Sequence, residues 1–84
     1  MELEWDKLRH SLNVKKHRLS FEDVIPAFYD EYRLDFADPL LNEEPYHLIG
    51  QSHGVILFVV YTFREIEGVL KIRIISARKA TKYE

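Results

Sequence analysis

The sequence predicts a single α+β domain over residues 1–84, in which two N-terminal helices pack on one face of a mostly antiparallel sheet of about four strands. A length of 84 residues allows one domain with one modest core. Apolar side chains follow helical spacing only in the N-terminal part of the chain, and alternating or continuous apolar runs come later. Helices followed by a series of strands are typical of the α+β class.

The N-terminal part of the chain contains the signals for both helices. Residues 1–5 can form a short leading strand ahead of them. Asp6 is a suitable cap for a first helix that continues to about Lys16, because its carboxylate can accept the free amides of the first turn. Ser20 similarly precedes a second helix, and Pro26 predicts a bend in it because proline removes a helical hydrogen bond.

Four strands are predicted after the helices. They cover residues 32–36, 46–51, 55–63 and 69–76. The third is almost continuously apolar, as expected of a central strand covered on both faces. A hairpin tip at Ile66 and Glu67 would set Phe63 opposite Leu70. One face of this hairpin is then apolar and receives the helices, whereas the other face is mixed and basic.

Composition excludes several classes of protein. The chain contains no cysteine, which rules out a disulfide framework and a thiolate zinc site and fits a reducing cytoplasm. The longest apolar runs fall short of the roughly 20 residues of a membrane span. Glu2, Glu4 and Asp6 stand where a signal peptide would have a basic start and an apolar stretch. We therefore expect a cytoplasmic protein that does not contact a membrane.

Basic residues are concentrated near the C-terminus. Residues 1–63 contain six Lys or Arg against eleven Asp or Glu, whereas residues 64–84 contain six against three. Strand alternation places Ile72 and Ile74 on one face and Lys71 and Arg73 on the other. Such asymmetry favours a surface that faces a polyanion, although a solvated charged face is the alternative.

An ordered set of residues extends through most of the chain. It consists of Glu4-Trp5-Asp6, Asn13, Lys16-His17, Ser20-Phe21-Glu22, Phe28, Asp30, Asp38-Pro39, Ile49-Gly50, Val59-Val60-Tyr61-Thr62, Arg64 and Arg73-Ile74-Ile75-Ser76-Ala77-Arg78-Lys79-Ala80-Thr81. With this set the chain resembles the BrnT family of bacterial type II toxins over nearly its whole length. One departure is Arg18, where the family usually has a glycine that ends the helix; a left-handed backbone there would be strained for arginine.

The resemblance implies a RelE-like ribonuclease fold and an activity that cleaves RNA and thereby inhibits translation. It also implies a cognate antitoxin, typically with a DNA-binding region, that neutralises the toxin. Because the complex represses its own operon, operator DNA would be contacted only through the antitoxin. RNA and the antitoxin are therefore the expected partners, and no cofactor is expected.

Metal-free cleavage of RNA needs a base for the 2′-hydroxyl proton, a cation for the phosphorane charge and an acid for the leaving 5′-oxygen. We expect Arg64, Arg73 and Arg78 to hold the phosphate, because a guanidinium stays charged and can donate two hydrogen bonds. His17 is the expected proton-transfer group, since imidazole titrates near neutral pH. The alternatives are that the arginines pair with nearby acids and that His17 simply ends the first helix.

Further residues are expected to bind substrate. They are Lys16, Lys71, Lys79, Tyr83, which could stack on a base, and Glu84, which matches an acid of the family. No spacing of histidine and acidic residues is convincing as a metal site.

Three functions remain open from the sequence. The first is a ribonuclease toxin, and the second is a catalytically weak protein with the toxin fold that binds an antitoxin-like partner. The third is a plain RNA-binding domain, whose affinity for RNA would depend strongly on salt concentration.

Overall fold

A computed structural model describes residues 2–38, 40 and 44–81 of the chain. Its elements are β1 (Glu2–Trp5), α1 (Lys7–His17), a 3₁₀ turn (Glu22–Val24), α2 (Ile25–Phe28), β2 (Leu34–Ala37), β3 (Tyr46–Ser52), β4 (Val55–Ile66) and β5 (Val69–Lys79). The five strands form one sheet in the order β1-β5-β4-β3-β2. β1 is parallel to β5, and the other neighbouring pairs are antiparallel, so the sheet is mixed.

The predicted arrangement of two helices on a mostly antiparallel sheet of about four strands is wrong. The sheet gains a fifth strand because Glu2–Trp5 pairs in parallel with β5. α1 contacts β5 at the border of the sheet, and the side chains of Leu8 and Leu12, expected to form its apolar stripe, are 67% and 55% exposed. The helical side chains of the apolar core all come from the short segment that ends in α2, and the buried residue of α1 is the polar Asn13. The core is therefore covered by much less helix than predicted.

The core lies between this short helical segment and one face of the sheet. Its buried apolar residues are Phe21, Val24, Ala27, Phe28, Leu48, Leu57, Val59, Tyr61, Ile72, Ile74 and Ala77. α2 approaches β3 closely at Gly50, where an added Cβ would lie 2.7 Å from the carbonyl oxygen of Ala27. Glycine at this position therefore lets the helix backbone contact the sheet directly.

α1 is defined at both ends by local hydrogen bonds. The Asp6 carboxylate accepts from the backbone amides of Leu8 and Arg9 at 2.7 and 3.2 Å, which caps the first turn. At the other end Arg18 has a left-handed backbone with φ of 56°, and its amide donates to the carbonyl of Val14. The helix therefore ends in a left-handed backbone conformation, although arginine is strained in that conformation.

The β4–β5 hairpin differs in register from the prediction. Its two-residue turn is Glu67-Gly68, both with positive φ, so Ile66 pairs with Val69. The expected tip at Ile66 and Glu67 is therefore wrong, and Phe63 lies opposite Ile72 rather than Leu70. A change of partner by two residues leaves each side chain on the same face, because side chains alternate with a period of two.

Candidate functional site

A β-bulge in β5 controls where its basic side chains point. Tyr61 pairs with Ile74 and Val60 pairs with Ser76, so Ile75 is an extra residue in β5. Arg73 and Arg78 are five positions apart and would lie on opposite faces of a regular strand. The extra residue inverts the alternation, and both arginines therefore lie on the face opposite α2.

We call this side of the sheet the basic face and define it by Arg64, Lys71, Arg73, Ser76 and Arg78. The register sets Arg64 opposite Lys71 near the hairpin turn and Arg73 opposite Thr62. The intervening residues Ile72, Ile74 and Ala77 are buried on the other side, which fixes the orientation of β5. Four of the cations predicted to contact the substrate are thus collected on one surface.

Two of these cations lie beside acidic side chains of the N-terminal segment. A guanidinium nitrogen of Arg73 is 3.8 Å from a carboxylate oxygen of Asp6, and the Lys71 ammonium is 4.0 Å from a carboxylate oxygen of Glu2. These are long contacts between partly exposed groups, which contribute little to stability. They leave the cations able to exchange an acidic partner for a phosphate.

Asp6 links the start of α1 to the basic face. Its amide hydrogen bonds from Arg9 and Leu8 lower the pKa of this carboxyl below its ordinary value of 3.8, and the nearby charge of Arg73 acts in the same direction. A carboxyl whose pKa is lower in the folded state stabilises the fold above its unfolded pKa. That contribution disappears as the pH falls through the folded value.

We therefore expect Asp6→Ala to lower the melting temperature at neutral pH. The difference from the wild type should begin to shrink near pH 3.8, the ordinary pKa that the carboxyl has in the unfolded chain, and should disappear as the pH falls through the lower pKa of the folded protein. Thermal melts of both proteins at several pH values provide the measurement, with Lys7→Ala as the control for a neighbouring substitution. A difference that stays constant down to strongly acidic pH would contradict this origin of the stabilisation.

Arg78 has a second kind of neighbour on the basic face. Its guanidinium carbon lies 4.6 Å from the centre of the Phe58 ring, a distance typical of a cation–π contact. One of its terminal nitrogens donates to the carbonyl of Lys79 at 3.2 Å. The aromatic ring supports one side of the guanidinium, which remains half-buried rather than extended into solvent.

A groove of about 220 Å³ separates α1 from the bulge of β5. It is lined by Arg9, Leu12, Asn13, Lys16 and His17 from the helix and by Ile75 and Ser76 from the strand. Ser76 lies between Arg73 and Arg78 in β5, so the groove adjoins the basic face. The structure thereby brings His17 and Lys16 next to the strand that carries the predicted phosphate-binding arginines.

The other predicted residues are separate from this site or cannot be placed. Lys79 lines a different pocket, together with Leu19, Ser52 and His53, on the side of the sheet that α2 covers. Tyr83 and Glu84 lie outside the described residues. The expected contribution of Lys79 to the same substrate site is therefore not supported by its position.

The sequence reasoning missed some residues that line the groove. Arg9, Leu12, Asn13 and Lys16 have the spacing of one helix face, and this pattern could have identified Arg9. The Asn13 side chain joins α1 to β5, because its amide donates to the carbonyls of Leu19 and Ala77 and accepts from the Ala77 amide, each at 2.9 Å. The Asn13 side chain thus provides hydrogen-bond partners for the β5 backbone at Ala77, beyond the point where the pairing of β1 with β5 ends at Ile74.

Within residues 2–38, 40 and 44–81, we find no group of three or more His, Cys, Asp or Glu side chains positioned to hold a metal ion. The same residues include no helix with the length and apolar character needed to cross a membrane.

Fold and site together define a small mixed-sheet protein whose cations collect on one face and in the adjoining groove. A model of the family described as the ribonuclease toxin BrnT of type II toxin–antitoxin systems matches residues 5–84. The chain belongs to the BrnT family of ribonuclease toxins. Membership implies RNA as the substrate and an antitoxin as the partner. A search of curated proteins gave no match.

Proposed function

We propose that the protein is a metal-independent endoribonuclease that inhibits translation and is neutralised by a cognate antitoxin. One observation carries this proposal: the bulge at Ile75 turns Arg73 and Arg78 to the same face, beside the groove that contains His17. The site thus combines cations for a phosphate with an imidazole side chain that can accept or donate a proton.

The proposed reaction is an internal transesterification of RNA. The 2′-oxygen forms a bond to phosphorus as its proton passes to a base, and the bond between phosphorus and the 5′-oxygen breaks as that oxygen receives a proton. The products are a 2′,3′-cyclic phosphate and a free 5′-hydroxyl. His17 is assigned to proton transfer because it lines the groove next to the β5 arginines.

The arginines provide the electrostatic part of the mechanism. Negative charge increases on the non-bridging oxygens as the phosphorane forms, and fixed cations stabilise that charge more than the ground-state charge. Arg73 and Arg78 would contact these oxygens, because their guanidinium groups can donate two hydrogen bonds each. Arg64, Lys71, Lys16 and Arg9 would bind neighbouring phosphates along the chain of the RNA.

The same cations suit neutralisation by a protein. An acidic or amphipathic segment of the antitoxin that covers the basic face would exclude RNA and pair with the arginines. A DNA-binding region of the antitoxin would then provide the only contact of the complex with operator DNA. All of these steps take place in the cytoplasm, where translation and the antitoxin are found together.

Expression in bacteria tests the function directly. Wild-type protein should arrest growth and cause RNA decay, whereas Arg73→Ala and Arg78→Ala should permit growth. Co-expression of the antitoxin should restore the growth of bacteria that express the wild-type protein. Equal growth and intact RNA in all three strains, together with a tightly bound small partner, would instead favour an inactive interaction module.

A further inference from the structure

Three aromatic rings form a continuous cluster on the same side of the sheet as Arg78. They belong to Phe36 in β2, His47 in β3 and Phe58 in β4. The Phe36 and His47 rings stack with centroids 5.3 Å apart and an angle of 20°, and the His47 and Phe58 centroids are 5.2 Å apart. Phe36 remains 40% exposed, so this cluster presents an aromatic surface to solvent.

The His47 ring of this aromatic cluster is held in a defined position. His47 packs against both phenylalanine rings, whose centroids are themselves 6.5 Å apart, and its Nε2 atom is 3.7 Å from a carboxylate oxygen of Asp38. The side chain is largely buried despite lying on the same face as Arg78. A packed ring of this kind loses little conformational freedom when a ligand stacks on the cluster.

The aromatic cluster is continuous with the basic face. The Phe58 ring contacts both the His47 ring and the Arg78 guanidinium, whose carbon lies 4.6 Å from the ring centre. A cation for phosphate and an aromatic surface for a base are therefore adjacent. This combination matches a single-stranded nucleic acid, in which charged phosphates and exposed π-faces alternate.

We propose that Phe36, His47 and Phe58 form a stacking site for an unpaired base of single-stranded RNA, next to the phosphate held by Arg78. The proposal rests on the proposed ribonuclease function and adds a substrate class to it. A base in a duplex has its faces covered by its neighbours, so this site selects an unstacked nucleotide. The adjoining guanidinium of Arg78 favours RNA over an apolar protein segment as the occupant of this surface.

A binding cycle with modified RNA tests the stacking. We would measure the affinity of the whole protein for a short 2′-O-methyl RNA, which lacks the attacking hydroxyl, and for versions with one abasic position each. In the wild type, one abasic position should weaken binding by about tenfold, as loss of a stacked base does. Phe36→Ala should weaken binding of the intact RNA similarly and lose the sensitivity to that abasic position.

Two further variants separate ring stacking from general damage. Phe36→Leu keeps an apolar side chain but removes the ring, and it should behave like Phe36→Ala. Tyr32→Ala removes an aromatic ring that is 84% exposed outside the cluster, and it should bind both RNAs like the wild type. Circular dichroism would verify that each variant is folded.

The outcomes distinguish the two levels of the proposal. If the wild type binds and cleaves RNA but Phe36→Ala and the abasic positions have additive effects, the stacking site is wrong and the ribonuclease function stands. If Phe36→Ala weakens only antitoxin binding, the surface serves a protein and the stacking site is also wrong. If the wild type neither binds nor cleaves any RNA, both proposals fail.

Discussion

Replacing Arg73 or Arg78 by alanine is expected to slow RNA cleavage by about 100- to 1000-fold, the usual effect of removing one donor that stabilises a charged transition state. The bulge at Ile75 places both guanidinium groups on the basic face, where each can stabilise negative charge on a bound phosphate. Single-turnover kinetics on a short RNA measure the loss. Lysine at either position should restore only part of the rate, because it keeps the charge but not the paired donors.

A matched control distinguishes this effect from a general loss of positive charge. Lys7→Ala also removes one cation, but Lys7 is exposed at the start of α1 and is absent from the residues that line the groove. It should retain nearly the full rate. If all three alanine variants lose the same modest factor, the arginines act only by attracting RNA, and the assigned catalytic role is wrong.

Among the substitutions considered for their effect on stability, Asn13→Ala should cause the largest loss, about 3 kcal/mol in the free energy of unfolding. The side chain is only 4% exposed, and its amide satisfies the carbonyls of Leu19 and Ala77 and the amide of Ala77. Alanine leaves these backbone groups without their partner in a buried position. Chemical denaturation with urea measures the difference between the variant and the wild type.

Ser11→Ala is the control for this experiment, because Ser11 is exposed on the same helix. It should change the free energy of unfolding by less than about 0.5 kcal/mol. Asn13→Asp provides a second comparison, since it keeps an acceptor for the Ala77 amide but loses both donors. A loss below about 1 kcal/mol for Asn13→Ala would show that water replaces the amide, and that α1 is held to β5 in another way.

Local patterns predicted the faces of the β4–β5 hairpin but not its detailed pairing. The prediction set Phe63 opposite Leu70, and the structure sets it opposite Ile72. The predicted assignment of side chains to the two faces of the hairpin is still correct near the turn, because the observed partner differs from the predicted one by two residues. The bulge at Ile75 has no local signal in the sequence, yet it decides that Arg78 joins Arg73.

The helices were less predictable because their positions depend on distant parts of the chain. The spacing of Leu8 and Leu12 suggested a helix that packs on the sheet, but both side chains are largely exposed. α1 is instead fixed by the hydrogen bonds of Asn13 to Ala77, and the strand before it pairs with β5. Contacts between residues more than sixty positions apart cannot be inferred from local periodicity.

The sequence predicted the chemistry of the candidate site but only some of the residues that form it. The alternation of basic and apolar residues identified Lys71 and Arg73, and the acid–base chemistry of imidazole identified His17. The aromatic cluster was missed because Phe36 and Phe58 belong to strands that only the folded sheet brings together. Neither residue follows a pattern that distinguishes an exposed ring from a buried one.

The nature of the cleavage products tests the central claim most directly. Purified protein would be incubated with single-stranded RNA in the presence of a metal chelator, and the ends of the fragments identified by mass spectrometry. The account predicts fragments with a 2′,3′-cyclic phosphate at one end and a 5′-hydroxyl at the other, and none from RNA whose 2′-hydroxyls are methylated. Intact RNA, fragments with 5′-phosphates, or cleavage that begins only when a divalent metal is added would contradict it.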